Sequence, residues 1–129
     1  MAANKKLRVI LIDDDDGCIL MMRTLLETLD CEVIGAAENG QTGVELFKKE
    51  KPDLVLLDLR MPVMSGKEAL QIMTDHDSDA KIILLTTVGD QHEIMKYLDT
   101  GADYYIRKDN PSDKIKAHLE SQLADIRDN

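Results

Sequence analysis

Five short apolar runs, separated by longer amphipathic stretches, constrain this chain more than any other feature. They read RVILI (8–12), EVIGA (32–36), DLVLL (53–57), KIILL (81–85) and DYYIR (103–107). Three are nearly continuous in Val, Ile and Leu. A strand reads that way when both its faces are covered, as in a parallel sheet, whereas a half-solvated antiparallel strand alternates. Between the runs the period changes. Met22, Leu25, Leu26 and Leu29 fall at helical spacing, as do Gly66, Ala69, Leu70 and Met73. Ile115, His118, Leu119, Gln122, Leu123 and Ile126 trace one stripe of a last helix, two of them polar. GQTGVELFKKE and DQHEIMKYLDT are shorter and weaker but still helix-like. Punctuation agrees: Pro52 precedes the third strand, Gly101 follows the fourth helix and NPSDK opens the fifth.

Five β/α units predict an α/β domain, a five-stranded parallel sheet with helices on both faces. Right-handed crossovers leave few topologies, and the flavodoxin-like order 2-1-3-4-5 is the common one at this size. The 129 residues suit one core. The last helix is expected to end near Arg127, which leaves no sequence for an output domain. One domain over 1–129, with a core of about 7–127, is therefore expected.

Net charge is −9 and the isoelectric point is near 4.7, which opposes attraction to nucleic acid or an anionic membrane. A divalent cation or a basic partner surface fits that sign. Cys18 and Cys31 stand in no metal-binding or redox spacing, so they read as small buried or half-buried residues of a reducing compartment. The start, MAANKKLRV, lacks the apolar core of a signal peptide, and no stretch reaches membrane-spanning length. A cytoplasmic protein is expected.

At the end of the first run the chain reads ILIDDDDG, four like charges in a row. Adjacent carboxylates repel by about 1 kcal/mol at 4 Å in water and about 4 at a protein surface. Solvation in a turn or a bound cation must compensate. In an open parallel sheet, ligands bind beyond the carboxyl ends of the strands. Asp13 and Asp14 follow the first strand, Asp58 the third, Thr86 and Thr87 the fourth, and Lys108 the fifth. Taken singly, each has an ordinary reading as a turn, strand-end or surface residue. In the proposed strand order, three acids, a hydroxyl and an ammonium converge on one mouth.

Three carboxylates without a His or Cys ligand make a hard, oxygen-only site, suited to Mg²⁺ or Mn²⁺ rather than zinc. A carboxylate beside such a metal can act as nucleophile toward a phosphoryl group. The metal, a lysine and a hydroxyl would stabilise charge on the phosphoryl oxygens.

The acidic pair after VILI, the stretch LVLLDLRMPVMSG, IILLTT and GADYYIRK together resemble the response-regulator receiver domain of two-component signalling, over roughly residues 7 to 127. The resemblance implies a phosphorelay receiver with Asp58 as phosphoacceptor. It implies Asp14 on Mg²⁺ directly and Asp13 mainly through water, with Asp58 and the Arg60 backbone carbonyl completing the protein ligands. Thr86 would bond the phosphoryl group through its hydroxyl, Thr87 through its backbone amide, and Lys108 through its ammonium. Tyr105 matches an aromatic position that swings as Thr86 moves, and Pro62 and Gly66 would shape the loop beside the site. On this reading Asp13 and Asp14 serve the metal, while Asp15 and Asp16 sit at the entrance to the first helix, where negative charge is favoured. The implied partners are a sensor histidine kinase or phosphotransfer protein and a downstream protein on the face of helix 4, strand 5 and helix 5. A homodimer through that face is also compatible. Catalysis would extend only to the domain's own phosphorylation and slow dephosphorylation.

The sequence departs from the family pattern in places. Asp109 follows Lys108 where many receivers carry a cis proline, so no cis bond is expected there. Thr87 is bulkier than the usual small residue. Arg60 and Val88 match two variable positions that, in the family the chain resembles, tune phosphoryl lifetime, and on that resemblance the apolar Val88 predicts a moderately long-lived aspartyl phosphate. A different class remains open: a receiver-like interaction module that works without phosphorylation and is told apart by metal binding. A Mg²⁺-dependent phosphohydrolase would want a second acid where Arg60 stands. Flavin or nucleotide binding lacks a glycine-rich first loop.

Overall fold

The computed structural model describes residues 6–128 apart from 60, 62 and 88–90. The chain runs β1 (Leu7–Ile12), α1 (Asp16–Glu27), β2 (Cys31–Ala37), α2 (Gly40–Glu50), β3 (Leu54–Leu57), α3 (Gly66–His76), β4 (Ile82–Thr86), α4 (Gln91–Thr100), β5 (Tyr104–Arg107) and α5 (Ser112–Asp128). All strand pairs are parallel, in the order β2-β1-β3-β4-β5 expected from the sequence.

Alternation along the strands sorts the apolar residues into two cores. Ile10, Ile12, Val55, Leu57, Ile82 and Leu84 join Val44, Phe47, Leu70, Met73 and Tyr97 of α2, α3 and α4. Val9, Leu11, Leu54, Leu56, Ile83 and Leu85 join Met22 and Leu26 of α1 and Ile115, Leu119 and Leu123 of α5. Both faces of the central strands are covered, which is why they read as continuous apolar runs. Three layers result, with two helices on one side and three on the other.

Two local features were not visible in the sequence. The β1–β2 register slips between Val9↔Val33 and Ile10↔Gly35, so Ile34 is an extra residue in β2. A side chain at Gly35 would meet Leu46 Cδ2 at 2.9 Å. Helix α1 also stops at Glu27 with Thr28 as its cap, so Leu29 lies beyond the helix yet packs on the same core.

The helix starts lie close to the strand ends because short polar side chains cap them. Asp15 accepts from the amides of Gly17 (2.9 Å) and Cys18 (3.3 Å), Asn39 from Thr42 (2.9 Å) and Ser65 from Glu68 (3.3 Å). Each cap contributes about 1 kcal/mol and fixes where its helix begins. No described helix is long and apolar enough to cross a membrane.

Candidate functional site

The sheet extends its hydrogen bonding just past its strand ends, and that places the chemistry. The amide of Asp13 donates to Ala37 O (2.9 Å), that of Asp58 to Ile12 O (2.8 Å) and that of Lys108 to Thr86 O (2.9 Å). These residues leave the sheet on a backbone still tied to it. Asp13 and Asp58 are buried at 4% and 6% exposure, and Thr86, the last residue of β4, at 1%. Asp14, one step further out, is exposed.

Asp13, Asp14 and Asp58 each bring a carboxylate oxygen within 4.8 Å of the others. Lys108 reaches in from β5, its Nζ 2.7 Å from Asp13 Oδ2 and 3.5 Å from Asp58 Oδ2. The other Asp13 oxygen accepts from the Asp15 amide at 3.0 Å. Burial alone would lower the Lys108 pKa. The hydrogen bond and charge of Asp13, with the charge of Asp58, outweigh it and hold the ammonium above its ordinary range. Three carboxylates against one ammonium leave a net negative pocket of oxygen donors at an apolar floor of Leu11, Leu56 and Leu85. That donor set suits Mg²⁺, and receiver domains bind Mg²⁺ at such an acidic pocket.

The sequence placed Asp13, Asp14, Asp58, Thr86 and Lys108 at one mouth, and the structure brings them there. Thr87 is exposed beside Thr86. Tyr105 is half-buried against the core shared with α4 and pairs in register with Leu84. Asp15 caps α1 and Asp16 opens its first turn, as the four-aspartate run predicts. Gly66 starts α3 against the acceptor strand: its amide donates to Leu59 O (3.1 Å), and a Cβ there would stand 2.6 Å from Asp58 O. Arg60, Pro62 and Val88 lie outside the described residues. No peptide bond among the described residues is cis, the one between Lys108 and Asp109 included.

The sequence reading did not find Cys18 at this site. It lines the small cavity under the acids together with Asp13 and Asp58. Burial, then the charge of Asp13 and a bond to it, push its thiol up to about 12. Its place one turn into α1, on the side facing the sheet, was the available signal. Both cysteines are free, Cys31 buried and Cys18 half-buried, as expected.

Fold and site together define a flavodoxin-like α/β domain with an acidic, oxygen-only cluster at the carboxyl edge of its sheet. The chain belongs to the response regulator receiver domain family, whose model matches residues 9–120. It is 38% identical over 101 residues to the chemotaxis protein CheY of Halobacterium salinarum, covering 78% of this chain and 83% of that protein. It is 39% identical over 118 residues to the transcriptional regulatory protein YdfI of Bacillus subtilis, covering 90% of this chain but 54% of that protein. The chain thus spans about half of that longer relative. Among solved structures, a two-component response regulator of the LuxR family from Aurantimonas sp. superposes with a TM-score of 0.85 at 26% identity, over 93% of this chain and 86% of that one.

Proposed function

We propose that this receiver takes a phosphoryl group on Asp58 from a phosphohistidine of a sensor kinase or phosphotransfer protein in the cytoplasm. The observation that carries the reading is the buried Asp13–Asp58 pair bridged by Lys108, with Asp14 completing an oxygen-only cluster. An Asp58 oxygen attacks phosphorus and the P–N bond breaks. The electron pair stays on the imidazole nitrogen, which takes up a proton. Water later cleaves the acyl phosphate, so the domain catalyses only its own modification and its slow reversal.

Mg²⁺, or Mn²⁺ in its place, supplies charge neutralisation at the phosphoryl oxygens when bound. Asp14 and Asp58 would hold it directly, Asp13 mainly through water, and the Arg60 carbonyl would complete the protein ligands. Lys108 would exchange its carboxylate partner for a phosphoryl oxygen. The Thr86 hydroxyl and the Thr87 amide would bond the others. Movement of Thr86 would be read by Tyr105, shifting the population of the α4–β5–α5 face offered to a downstream protein or a second copy.

Intact mass after incubation with Mg²⁺ and acetyl phosphate tests this. One phosphoryl group on the parent, absent in Asp58→Asn and absent without metal, is the expected result. No added mass on the parent, with the histidine donor also ineffective, overturns it. Lys108→Ala should still take the group yet fail to raise partner binding.

A further inference from the structure

Lys108 is bracketed by an ion pair that closes over its own backbone. Arg107 Nε donates to Asp109 Oδ1 at 3.2 Å and Arg107 Nη2 to Asp109 Oδ2 at 2.7 Å, a two-pronged guanidinium–carboxylate fork between residues two apart. Lys108 and Asp109 are the central residues of a turn that follows β5, so the fork ties together the two residues that flank Lys108 across that turn. A fork closed across Lys108 restricts the dihedrals of 108 while its side chain leaves toward the acids. The side chains show this division: Arg107 and Asp109 are 39% and 60% exposed, while Lys108 is 15% exposed and lies against Asp13 and Asp58. Two backbone bonds complete the bracket, Lys108 N to Thr86 O at 2.9 Å and Asn110 N to Arg107 O at 3.3 Å.

We propose that the Arg107–Asp109 fork is a positioning device for Lys108, holding its ammonium over Asp13 and Asp58. This rests on the phosphoacceptor reading for its consequence in catalysis, but not for its geometry. A lysine stem has four rotatable bonds, so a fixed root decides how often the ammonium is in place. The fork also keeps the Arg107 charge occupied outside the pocket. With the fork open, two effects of opposite sign follow. Phosphoryl transfer slows because Lys108 is less often placed for the phosphoryl oxygens. Mg²⁺ binds more tightly because Asp13 is less often neutralised by the ammonium. General damage to the fold would weaken both.

The test uses Arg107→Gln, Arg107→Lys, Asp109→Asn and the double variant Arg107→Gln/Asp109→Asn. Initial rates of labelling by acetyl phosphate are read by intact mass, and Mg²⁺ affinity by calorimetry without donor. Each single variant should label about threefold more slowly and bind Mg²⁺ about threefold more tightly, the scale of one well-formed exposed pair. The double variant should match the singles, because one device is lost either way. Arg107→Lys should behave like Arg107→Gln, since a lysine keeps the charge but cannot form the fork. Unchanged Mg²⁺ affinity, or weaker binding, overturns the proposal whether or not the parent is phosphorylated. A parent that takes no phosphoryl group, with Mg²⁺ affinity still rising in the variants, overturns the phosphoacceptor reading and leaves the fork standing.

Discussion

Lys108, the first residue past the edge strand β5, reaches across β3 and β4 to place its ammonium 2.7 Å from Asp13 at the end of β1. With Asp58 Oδ2 also 3.5 Å away, that ammonium balances part of the charge of the two buried acids. The chain thus supplies a counter-ion of its own, and a metal held by the same carboxylates would compete with it or share them.

Lys108→Met keeps most of the stem and removes the charge, which isolates that role. Asp13 and Asp58 then lose their ammonium while remaining buried. Metal-free stability should fall by about 1–3 kcal/mol, below the full value for a buried pair because the site opens to solvent. Mg²⁺ should restore more stability to the variant than to the parent, since a ligand that binds only the folded form stabilises it by mass action. Urea unfolding with and without Mg²⁺ checks this. Equal metal effects in both proteins would show that Lys108 packs rather than neutralises.

Alkaline pH should destabilise the domain through two groups at this site. The Cys18 thiol titrates near 9.0 when unfolded and about 12 when folded, chiefly because it is buried and then because Asp13 is near. A raised folded value means stability is fully present below pH 9.0 and is lost as pH climbs toward 12. Lys108 adds the same sign at higher pH, since its folded value lies above 10.5. Unfolding midpoints measured from about pH 8 to about pH 10 should fall, and Cys18→Ala should fall less steeply. A parallel decline in both would remove Cys18 from the account.

The strands were legible because each carries its own pattern, and Ile82–Leu85 or Leu54–Leu57 can be read without knowing a neighbour. Their order came from crossover handedness and the common topology of five β/α units. The mouth was legible for a related reason: in a parallel sheet every strand end faces the same way, so strand assignments put Asp13, Asp58, Thr86 and Lys108 on one edge and the strand order made them neighbours. What escaped depends on pairs that no local pattern marks. The extra residue at Ile34 is a register property shared with β1. Cys18 beside Asp13 depends on how α1 rotates onto the sheet. The Arg107–Asp109 fork is local in sequence, but the charges read as ordinary surface residues until Lys108 is seen turned inward. Leu29 kept the period of α1 while lying outside the helix, because burial and helicity are separate requirements.

Gly66→Ala tests how tightly the acceptor loop is held. The added methyl would lie 2.6 Å from both Asp58 O and Leu59 Cα, which are backbone atoms that cannot rotate away. Either α3 shifts outward or the segment carrying Asp58 moves, and overpacking against backbone costs about 2–3 kcal/mol. Gly17→Ala is the control, because its Cβ would meet only Asp15 Oδ1 at 3.3 Å. Denaturant unfolding should separate the two clearly. Mg²⁺ affinity should fall in Gly66→Ala beyond what lost stability explains, since Asp58 itself is displaced.

Val63 should be the easiest place to gain stability. Its backbone lies in the left-handed region, φ 70°, which a β-branched side chain enters only with strain. Its side chain is 77% exposed, so little packing offsets that strain. Asparagine tolerates this conformation, and Val63→Asn should stabilise the domain by about 1 kcal/mol. Val63→Gly should gain less, because glycine relieves the strain but also gives the unfolded chain more freedom. Thermal and urea midpoints in the order Asn, Gly, Val check the argument. The loop joins the acceptor strand to α3, so the same variants also show whether strain at Val63 serves phosphoryl transfer. If labelling by acetyl phosphate slows while stability rises, the strained conformation is part of how the loop presents Asp58. An unchanged rate makes Val63 a stability defect alone.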